Sequence, residues 1–382
     1  MPIDAVFDEV YFDEVYFDEW IGDIAPVPFY WNPPLWSRIN YNILVYDSNG
    51  MLLWEVKDVE SATLDQRVNV PATVSFVCPK STQLAMIQND LDGPNDICVL
   101  RDGTPIFLGP VSLAKTTHGA NITIQVDALD YMAALKGEYV ELYDADAVVA
   151  THVAAILAQQ VNSNPVVVGT IEPTTDVDIT IDRAFCYDAL TKLRDIVGGY
   201  LQVDATRKFN WRWNLTTSTG QQLRYRKNML GVERNSDWLN FGNRLYIYGD
   251  GVDLTDAGWP TMYIEDTESQ KLYKKIVSRK IVDTSFTSAA TMLQFAHQQI
   301  ATLAYPRMTY SVNVVNLADF GIDWEALSLG STVRLIDEEL DIDIEMQIVR
   351  VIYDLVQGQN IQVELAAVSL NIVDIIPGNY VL

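Results

Sequence analysis

The sequence has few of the residues that carry enzyme and metal chemistry. Among 382 residues there are three cysteines and three histidines, and no motif brings the two types together. The cysteines are too scattered for a disulfide framework or a CxxC metal knuckle, so we expect buried thiols made in a reducing cell. Neither a cysteine protease nor a zinc site is predicted. The six residues are Cys78, Cys98, Cys186, His118, His152 and His297.

Other signatures of function are also missing. The chain has no GxSxG nucleophile elbow, no HExxH, no Walker GxxxxGK[ST] sequence and no GxGxxG that opens a helix. The N-terminus lacks the basic and apolar regions of a signal peptide, and no run approaches 18 apolar residues. We therefore expect no catalytic residue, no metal site, no cofactor and no stable membrane insertion.

Basic residues are scarce relative to acidic ones. The chain has 26 Lys and Arg against 51 Asp and Glu, which gives a net charge of −25. Binding to a phosphate backbone needs clustered Lys and Arg, so DNA-binding and anionic-membrane roles are disfavoured. An acidic surface can instead line a conduit that DNA passes without sticking, or it can simply confer solubility. The length and composition predict a folded protein of two to four domains.

The first 36 residues differ from the rest of the chain. They contain eight acidic residues, ten aromatic residues and no Lys or Arg, and a Phe-Asp-Glu sequence recurs every five residues. Because regularly spaced aromatic residues need to be buried, we predict an extended arm that packs on its own body or on a neighbouring protein. The alternative is a disordered acidic segment at the N-terminus. The expected contact residues are Phe7, Tyr11, Phe12, Tyr16, Phe17 and Trp20.

The remaining pattern predicts a mainly β chain with α+β parts. Period-2 alternation and turn sequences favour antiparallel hairpins, and helical spacing recurs in the middle of the chain. One β-hairpin pattern near residues 107–129 is echoed at 347–368, which suggests two related barrels. The predicted parts are an arm at 1–36, a first β-barrel at 37–140, an α+β domain at 141–213, a second β-barrel at 214–255 and 305–370, a helix-bearing insertion at 256–304 and a tail at 371–382.

Acidic residues cluster on one predicted strand. Asp341, Asp343 and Glu345 alternate with apolar residues, which is typical of a half-buried strand with one face in water. A negatively charged channel wall or a calcium site are the alternatives, although a calcium loop needs sharp turns. The acidic residues at 250–256 are interpreted as a polar loop. No pair of carboxylates stands out for glycoside hydrolysis.

Two tryptophans lie two positions apart on another predicted strand. Trp211 and Trp213 would therefore share one face. Packing against the adjacent helix is the expected role, and an aromatic platform for a sugar or a partner is the alternative.

Four stretches, taken in order, resemble the hub proteins of bacteriophage tail tips and baseplates, the tail-associated hub family. Each stretch is loose and mostly apolar, so the likeness depends on their order and spacing over residues 38–370. The stretches are ATL (62–64) through VPATVSF (70–76) with VLRDGTPIFLG (99–109), ALTKLRDIVGGYLQVD (189–204), NRLYIYG (243–249), and LSLGSTVRL (327–335) with VRVIYD (349–354).

The resemblance implies a homotrimer in which each subunit supplies two barrels of the tail-tube type. Six barrels would then form a ring that adapts or closes the six-fold tail tube and lets genomic DNA pass as cargo. Expected neighbours are distal tail or tube proteins, the tape-measure protein and tail fibre or spike proteins. The protein would be made in the host cytoplasm and be located in the virion.

The resemblance also bears on catalysis. Family members often continue into a peptidase or a lysozyme-like domain, and this chain stops at Leu382, just after the second predicted barrel. We therefore expect a non-enzymatic structural protein. The alternatives are a tail-tip module that binds a host receptor or a saccharide, and a tail enzyme that degrades the cell wall.

Overall fold

The computed structural model describes residues 40–366, with gaps at 48–49, 81–94, 120, 163–164, 216–220, 226, 316–326, 341 and 357–359. Several predicted features lie outside the described residues. These are the N-terminal arm with Phe7, Tyr11, Phe12, Tyr16, Phe17 and Trp20, the residue Asp341, and the C-terminal tail at 371–382.

Strands dominate the described part of the chain. The strands, in chain order, are β1 (Tyr41–Tyr46), β2 (Leu52–Val56), β3 (Ser61–Arg67), β4 (Val70–Pro79), β5 (Asp96–Arg101), β6 (Thr104–His118), β7 (Ile122–Leu129), β8 (Tyr139–Val148), β9 (Val167–Ile171), β10 (Asp176–Phe185), β11 (Tyr200–Val203), β12 (Lys208–Arg212), β13 (Gln221–Arg224), β14 (Met229–Asp237), β15 (Arg244–Tyr248), β16 (Tyr263–Glu265), β17 (Ser278–Val282), β18 (Arg307–Val315), β19 (Thr332–Asp337), β20 (Ile342–Asp354) and β21 (Asn360–Ala366). The helices are α1 (Tyr131–Ala134), α2 (Val149–Leu157), α3 (Cys186–Val197), α4 (Thr267–Tyr273), α5 (Ala289–Leu303) and a 3-10 helix (Leu254–Ala257).

Thirteen strands form one large, mostly antiparallel sheet. Its order is β14-β18-β21-β20-β3-β4-β7-β6-β5-β1-β2, with β19 paired to β20 and β13 parallel to β19. The prediction of a mainly β fold is confirmed. The path of described strands does not close on itself, so the sheet is open and two closed barrels are not present among them. Strand β20 joins the two halves into one open sheet, because its thirteen residues pair with β19 and β21 of its own half and also with β3 of the other half.

Local sequence explains the hairpins of this sheet. Alternating apolar residues on either side of a turn predict hairpins at 39–56 and 97–108, and these are formed by β1 with β2 and by β5 with β6. In the second hairpin Asp102 and Gly103 both have positive φ, which suits the right-handed twist of the two strands. Along β7, Ile124, Val126 and Ala128 are buried at every second position.

One hydrophobic core lies on the large sheet and a second lies beside the helices. The first core draws residues from both halves of the sheet, such as Phe76 and Val126 from one half and Val312 and Val351 from the other. The second core contains α1, α2, α3 and α5 together with three small sheets, β8–β10, β9–β12–β11 and β16–β15–β17.

Capping residues mark the end of helix α3 and the start of helix α5. The sequence Gly198-Gly199 predicts a helix end, and helix α3 does end at Gly198, whose φ of 93° is a backbone angle that favours glycine. Ser288 caps α5 by accepting from the backbone N–H of Thr291. The apolar spacing of Val149, Val153 and Ile156 predicts a helix that Asp146 caps. This capping prediction is wrong, because β8 continues through Asp146 opposite Asp178 and the helix begins only at Val149.

Strand β15 joins a different sheet from the one that its sequence suggests. Its NRLYIYG stretch resembles a strand that opens the second barrel, yet β15 pairs with β16 and β17. Leu245 and Ile247 are fully buried in the second core. A short apolar run does not specify its pairing partner, and here helix α5 packs on the strand in the second core.

Candidate assembly surfaces

The large sheet contains the same five-stranded arrangement twice. Module A has the order β3-β4-β7-β6-β5, and module B has the order β14-β18-β21-β20-β19. In both modules the first two strands pair, the fourth and fifth form a hairpin, and the third pairs with the fourth. The echo between 107–129 and 347–368 is therefore a repeat of strand connectivity.

The repeat extends to individual residue positions. In module A, Phe76 lies opposite Val126, and in module B, Val312 lies opposite Val363. All four side chains are buried. Each hairpin also has an irregularity at the same point of the long strand, between Val111 and Leu113 in β6 and between Ile348 and Arg350 in β20. This alignment makes Leu113 the equivalent of Arg350.

A joint between β20 and β3 connects the two modules. Residues 350–354 pair antiparallel with residues 63–67. Across this joint the guanidinium of Arg350 donates two hydrogen bonds to the carboxylate of Asp65, at 2.9 and 2.7 Å. Burial alone raises the pKa of Asp65, but hydrogen bonds from Arg350 and Arg67 outweigh burial and hold that pKa below its ordinary value. No local pattern indicates that these residues meet, since 285 positions separate them.

Strand β14 occupies in module B the place that β3 occupies in module A. By the same alignment, residues 233–237 are equivalent to residues 63–67. Among the described strands β14 pairs along its length with β18 alone, and it lies at one end of the sheet. An edge strand of this kind presents backbone groups that can pair with another chain.

The acidic strand face contains more positive charge than its sequence suggests. Asp343 and Glu345 are exposed on β20. However, Arg334 on the neighbouring strand donates two hydrogen bonds of 2.6 Å to Asp343, and these bonds lower the pKa of that carboxyl. Close by, Arg224 forms an ion pair with Glu338. This face therefore has both signs of charge, with Glu345 opposite Arg334 in register.

Acidic side chains of the loop at 250–256 accept hydrogen bonds that stabilise its turn. Asp253 accepts from the backbone N–H and the hydroxyl of Thr255, and Asp256 accepts from the backbone N–H of Asp253 at 2.8 Å. The two residues form a reciprocal capping box on the 3-10 helix. The interpretation as a polar loop agrees with this geometry. Within the described residues no group of three or more His, Cys, Asp or Glu side chains is arranged to hold a metal ion.

The two tryptophans do not form a shared surface. Trp211 is fully buried, and its indole Nε1–H donates to the carbonyl oxygen of Gly198 at 2.9 Å. Strand β12 ends at Arg212, so Trp213 leaves the alternation and is 44% exposed. A platform made of both rings is excluded, because one of them is in the core.

His152 and the three cysteines lie in the core, and His297 packs against an aromatic ring. His152 is buried, where Nδ1 contacts the hydroxyl of Tyr143 at 2.7 Å and Nε2 contacts the carbonyl oxygen of Val177 at 2.8 Å. His297 packs edge-on against Trp259, and burial lowers its pKa. All three cysteines are free and buried, and burial raises the pKa of each thiol to about 11. No helix among the described residues is long and apolar enough to cross a membrane.

One family of proteins matches part of the sequence. Residues 217–376 match the model of the family described as "Prophage endopeptidase tail". The match covers less than half of the 382 residues and contains the whole of module B. No curated protein matches the chain.

Three solved structures share the fold of this chain. They are the 43 kDa tail protein of prophage MuSo2 from Shewanella oneidensis (15% identity, TM-score 0.62, covering 85% of this chain and 98% of that one), a tail protein from Neisseria meningitidis MC58 (16%, 0.62, 86% and 96%), and the prophage tail protein gp18 from Listeria monocytogenes EGD-e (17%, 0.60, 87% and 96%). At this level of identity the likeness establishes the fold.

Proposed function

We propose that this chain is a structural protein of a phage tail, a hub that assembles as a trimeric ring at the tail tip or baseplate. The observation that carries the proposal is the presence of two equivalent five-stranded modules in one chain. Three such chains supply six equivalent modules, which is the number needed to match a six-fold tail tube. The fold of the three prophage tail proteins supports the same assignment.

The joint between the modules provides a template for the contact between copies. Within the chain, β20 of module B pairs with β3 of module A. Applying the same geometry to the next position of the ring brings β6 of module A against β14 of another copy. The equivalence of residues sets the register: Leu113 lies opposite Asp237, Lys115 opposite Asn235 and Thr117 opposite Glu233.

The charges in this register are complementary. Lys115 is exposed on β6, and Glu233 is exposed on β14. In an antiparallel pair the residues two positions either side of the direct partner are diagonal neighbours within reach of a long side chain. Lys115 would therefore lie between Glu233 and Asp237 of the other copy. The ion pairs of Lys115 would stabilise this contact between copies, as the ion pair of Arg350 with Asp65 does at the joint inside the chain.

Function in this proposal comes from assembly. The ring adapts or closes the end of the tail tube, with distal tail or tube proteins and the tape-measure protein on one side and fibre or spike proteins on the other. Genomic DNA passes through, since a chain with a net charge of −25 repels phosphates. The exposed face at Asp343 and Glu345 is assigned to the solvent or to the wall of this channel.

A charge swap tests the ring and its register. We expect Lys115→Glu to weaken each contact between copies by about 1 kcal/mol, because it faces two carboxylates. Adding Glu233→Lys to the same chain should restore assembly. The measurement is the mass of the assembled particle across a concentration series, with electron microscopy of the rings.

The control is Lys57→Glu, which makes the same charge change at an exposed lysine that follows β2. Equal weakening by Lys57→Glu, or no rescue by Glu233→Lys, would show that the proposed register is incorrect. Particles that contain a number of copies other than three would contradict the trimer.

A peptidase is the second candidate function, because the matching family is described as an endopeptidase tail family. The matched residues 217–376 contain one histidine, His297, and no cysteine. His297 is edge-on to Trp259 and is not joined to an acid by any hydrogen bond among the described residues. A zymogram on peptidoglycan decides between the candidates, and clearing by the purified chain would overturn the non-enzymatic assignment.

A further inference from the structure

One short segment carries an unusual share of the positive charge. Residues 269–282 contain five Lys or Arg and no Asp or Glu, in a chain where acidic residues outnumber basic ones 51 to 26. The segment covers most of α4, the turn after it and β17. Its five cations, Lys271, Lys274, Lys275, Arg279 and Lys280, are all exposed.

An aromatic cluster lies against this basic segment. The ring of Tyr273 packs on Trp238 at 5.3 Å and on Phe241 at 5.1 Å between centroids. Arg279 connects the two parts, because its guanidinium donates to the carbonyl oxygens of Phe241 and Leu239. Half of Trp238 is exposed, and Leu239 is 78% exposed. We call Trp238, Phe241, Tyr273, Lys274, Lys275 and Arg279 the basic–aromatic patch.

A buried side chain holds this surface in place. The amide of Asn243, which is fully buried, donates to the carbonyl oxygen of Lys275 and accepts from the backbone N–H of Val277. The turn that presents Lys274 and Lys275 is therefore tied to the start of β15. Lys271 is already paired with Glu268 at 2.7 Å. Neither Lys274 nor Lys275 has an ion pair within the described part of the chain. A fixed surface with exposed rings and unneutralised cations is suited to binding an acidic, aromatic segment.

The chain itself contains a segment of that composition. Residues 1–36 have eight acidic and ten aromatic residues and no Lys or Arg, and Phe-Asp-Glu recurs at positions 7–9, 12–14 and 17–19. From Trp20 to the first described residue, Asn40, an extended chain reaches about 60 Å at roughly 3 Å per residue. The sequence of this connection includes Pro26, Pro28, Pro33 and Pro34, a residue type that favours an extended backbone, and a reach of this length allows a target on another copy.

We propose that the basic–aromatic patch of one copy binds the acidic, aromatic segment 7–20 of a neighbouring copy. Carboxylates of the segment pair with Lys274 and Lys275, and its rings pack on Trp238 and Tyr273. The inference rests on the proposed ring, in which β14 of one copy meets β6 of the next. Trp238 directly follows the last residue of β14, so the patch lies beside that contact between copies.

Disulfide trapping between two full-length variants tests the proposal. One copy carries Tyr16→Cys in the segment and the other carries Ile276→Cys beside the patch. Because all three native cysteines are buried, and burial raises the pKa of each thiol to about 11, the introduced thiols react selectively under mild oxidation. We expect a linked heterodimer on a non-reducing gel, and Lys274→Glu with Lys275→Glu should lower its yield by about tenfold.

Leu52→Cys is the matched control for the receiving copy. Leu52 and Ile276 are both 51% exposed, and Leu52 lies on β2 at the other end of the sheet path. The proposal is overturned by absence of the heterodimer, by an equal yield with Leu52→Cys, or by links found only within one chain when both cysteines are on it. Ring size is scored separately by particle mass, so an intact ring without the link removes this inference and leaves the ring proposal standing.

Discussion

Asp65 and Arg350 form the main polar contact across the joint of the two modules. Their side chains are only 22% and 28% exposed, and the pair is bidentate. We expect Asp65→Asn to lower the free energy of unfolding by about 1 kcal/mol, because Arg350 keeps its burial and loses a charged partner. Urea denaturation measures the change. Asp178→Asn, which removes an exposed carboxylate on β10, should have a much smaller effect.

The same pair predicts a dependence of stability on pH. The pKa of Asp65 in the folded state is below the ordinary value of 3.8, so the stabilisation by this carboxylate is fully present above that value. It is lost as the pH falls below 3.8 through the lower folded-state pKa. The difference in unfolding free energy between the native protein and Asp65→Asn should therefore shrink as acid is added. A difference that stays constant between neutral pH and pH 3 would contradict this contribution.

Residue chemistry was predictable where it depends on composition and was not where it depends on tertiary contact. Buried free thiols followed from the number and spacing of the cysteines. Trp213 was placed with Trp211 because alternation was extended one residue too far, past the end of β12. The ion pair of Asp343 with Arg334 depends on the pairing of β19 with β20, which a single strand pattern does not contain.

At the scale of elements, Gly199 connects helix α3 to strand β11 through a backbone that other residues adopt with strain. Its φ is 89°, and a Cβ there would lie 2.9 Å from Nε1 of Trp211 and 3.0 Å from the carbonyl oxygen of Arg212. We expect Gly199→Ala to lower the free energy of unfolding by about 2 to 3 kcal/mol. Thermal unfolding of the purified chain measures it.

Gly251→Ala separates the two causes of that loss. Gly251 also has a positive φ, of 68°, but a Cβ there would meet nothing within 4 Å. Its replacement should cost only about 1 kcal/mol, from backbone strain alone. If both variants lose the same stability, the close approach to Trp211 contributes nothing.

Periodicity located most elements but not their partners. The hairpins of β1–β2 and β5–β6, and helices α3 and α5, follow from alternation, turn residues and caps. The placement of β15 in a small sheet and the use of β20 by three neighbours do not, because pairing is settled by contacts far away in sequence. The sequence does contain a signal for the basic–aromatic patch, because its three basic residues lie in the stretch 271–280, which has five Lys or Arg and no acidic residue. This stretch suggests a binding surface only when it is compared with the acidic arm.

At the scale of the whole molecule, the excess of acidic residues sets its behaviour towards nucleic acid. A net charge of −25 should prevent retention of double-stranded DNA at about 0.15 M salt, because no counterion release compensates the repulsion. A gel-shift titration with the assembled protein measures this. Binding in the micromolar range would contradict the proposal that DNA only passes through.

Among the described strands the outer edge of β14 is unpaired, and this has a consequence for the production of the protein. An unpaired strand edge pairs with whatever complementary edge it meets first, including that of a partly folded chain. If the ring closes that edge, correct oligomerisation also protects the chain from aggregation. The quantity of each tail component made, and the order in which they appear, would then decide how much of this chain survives to be used.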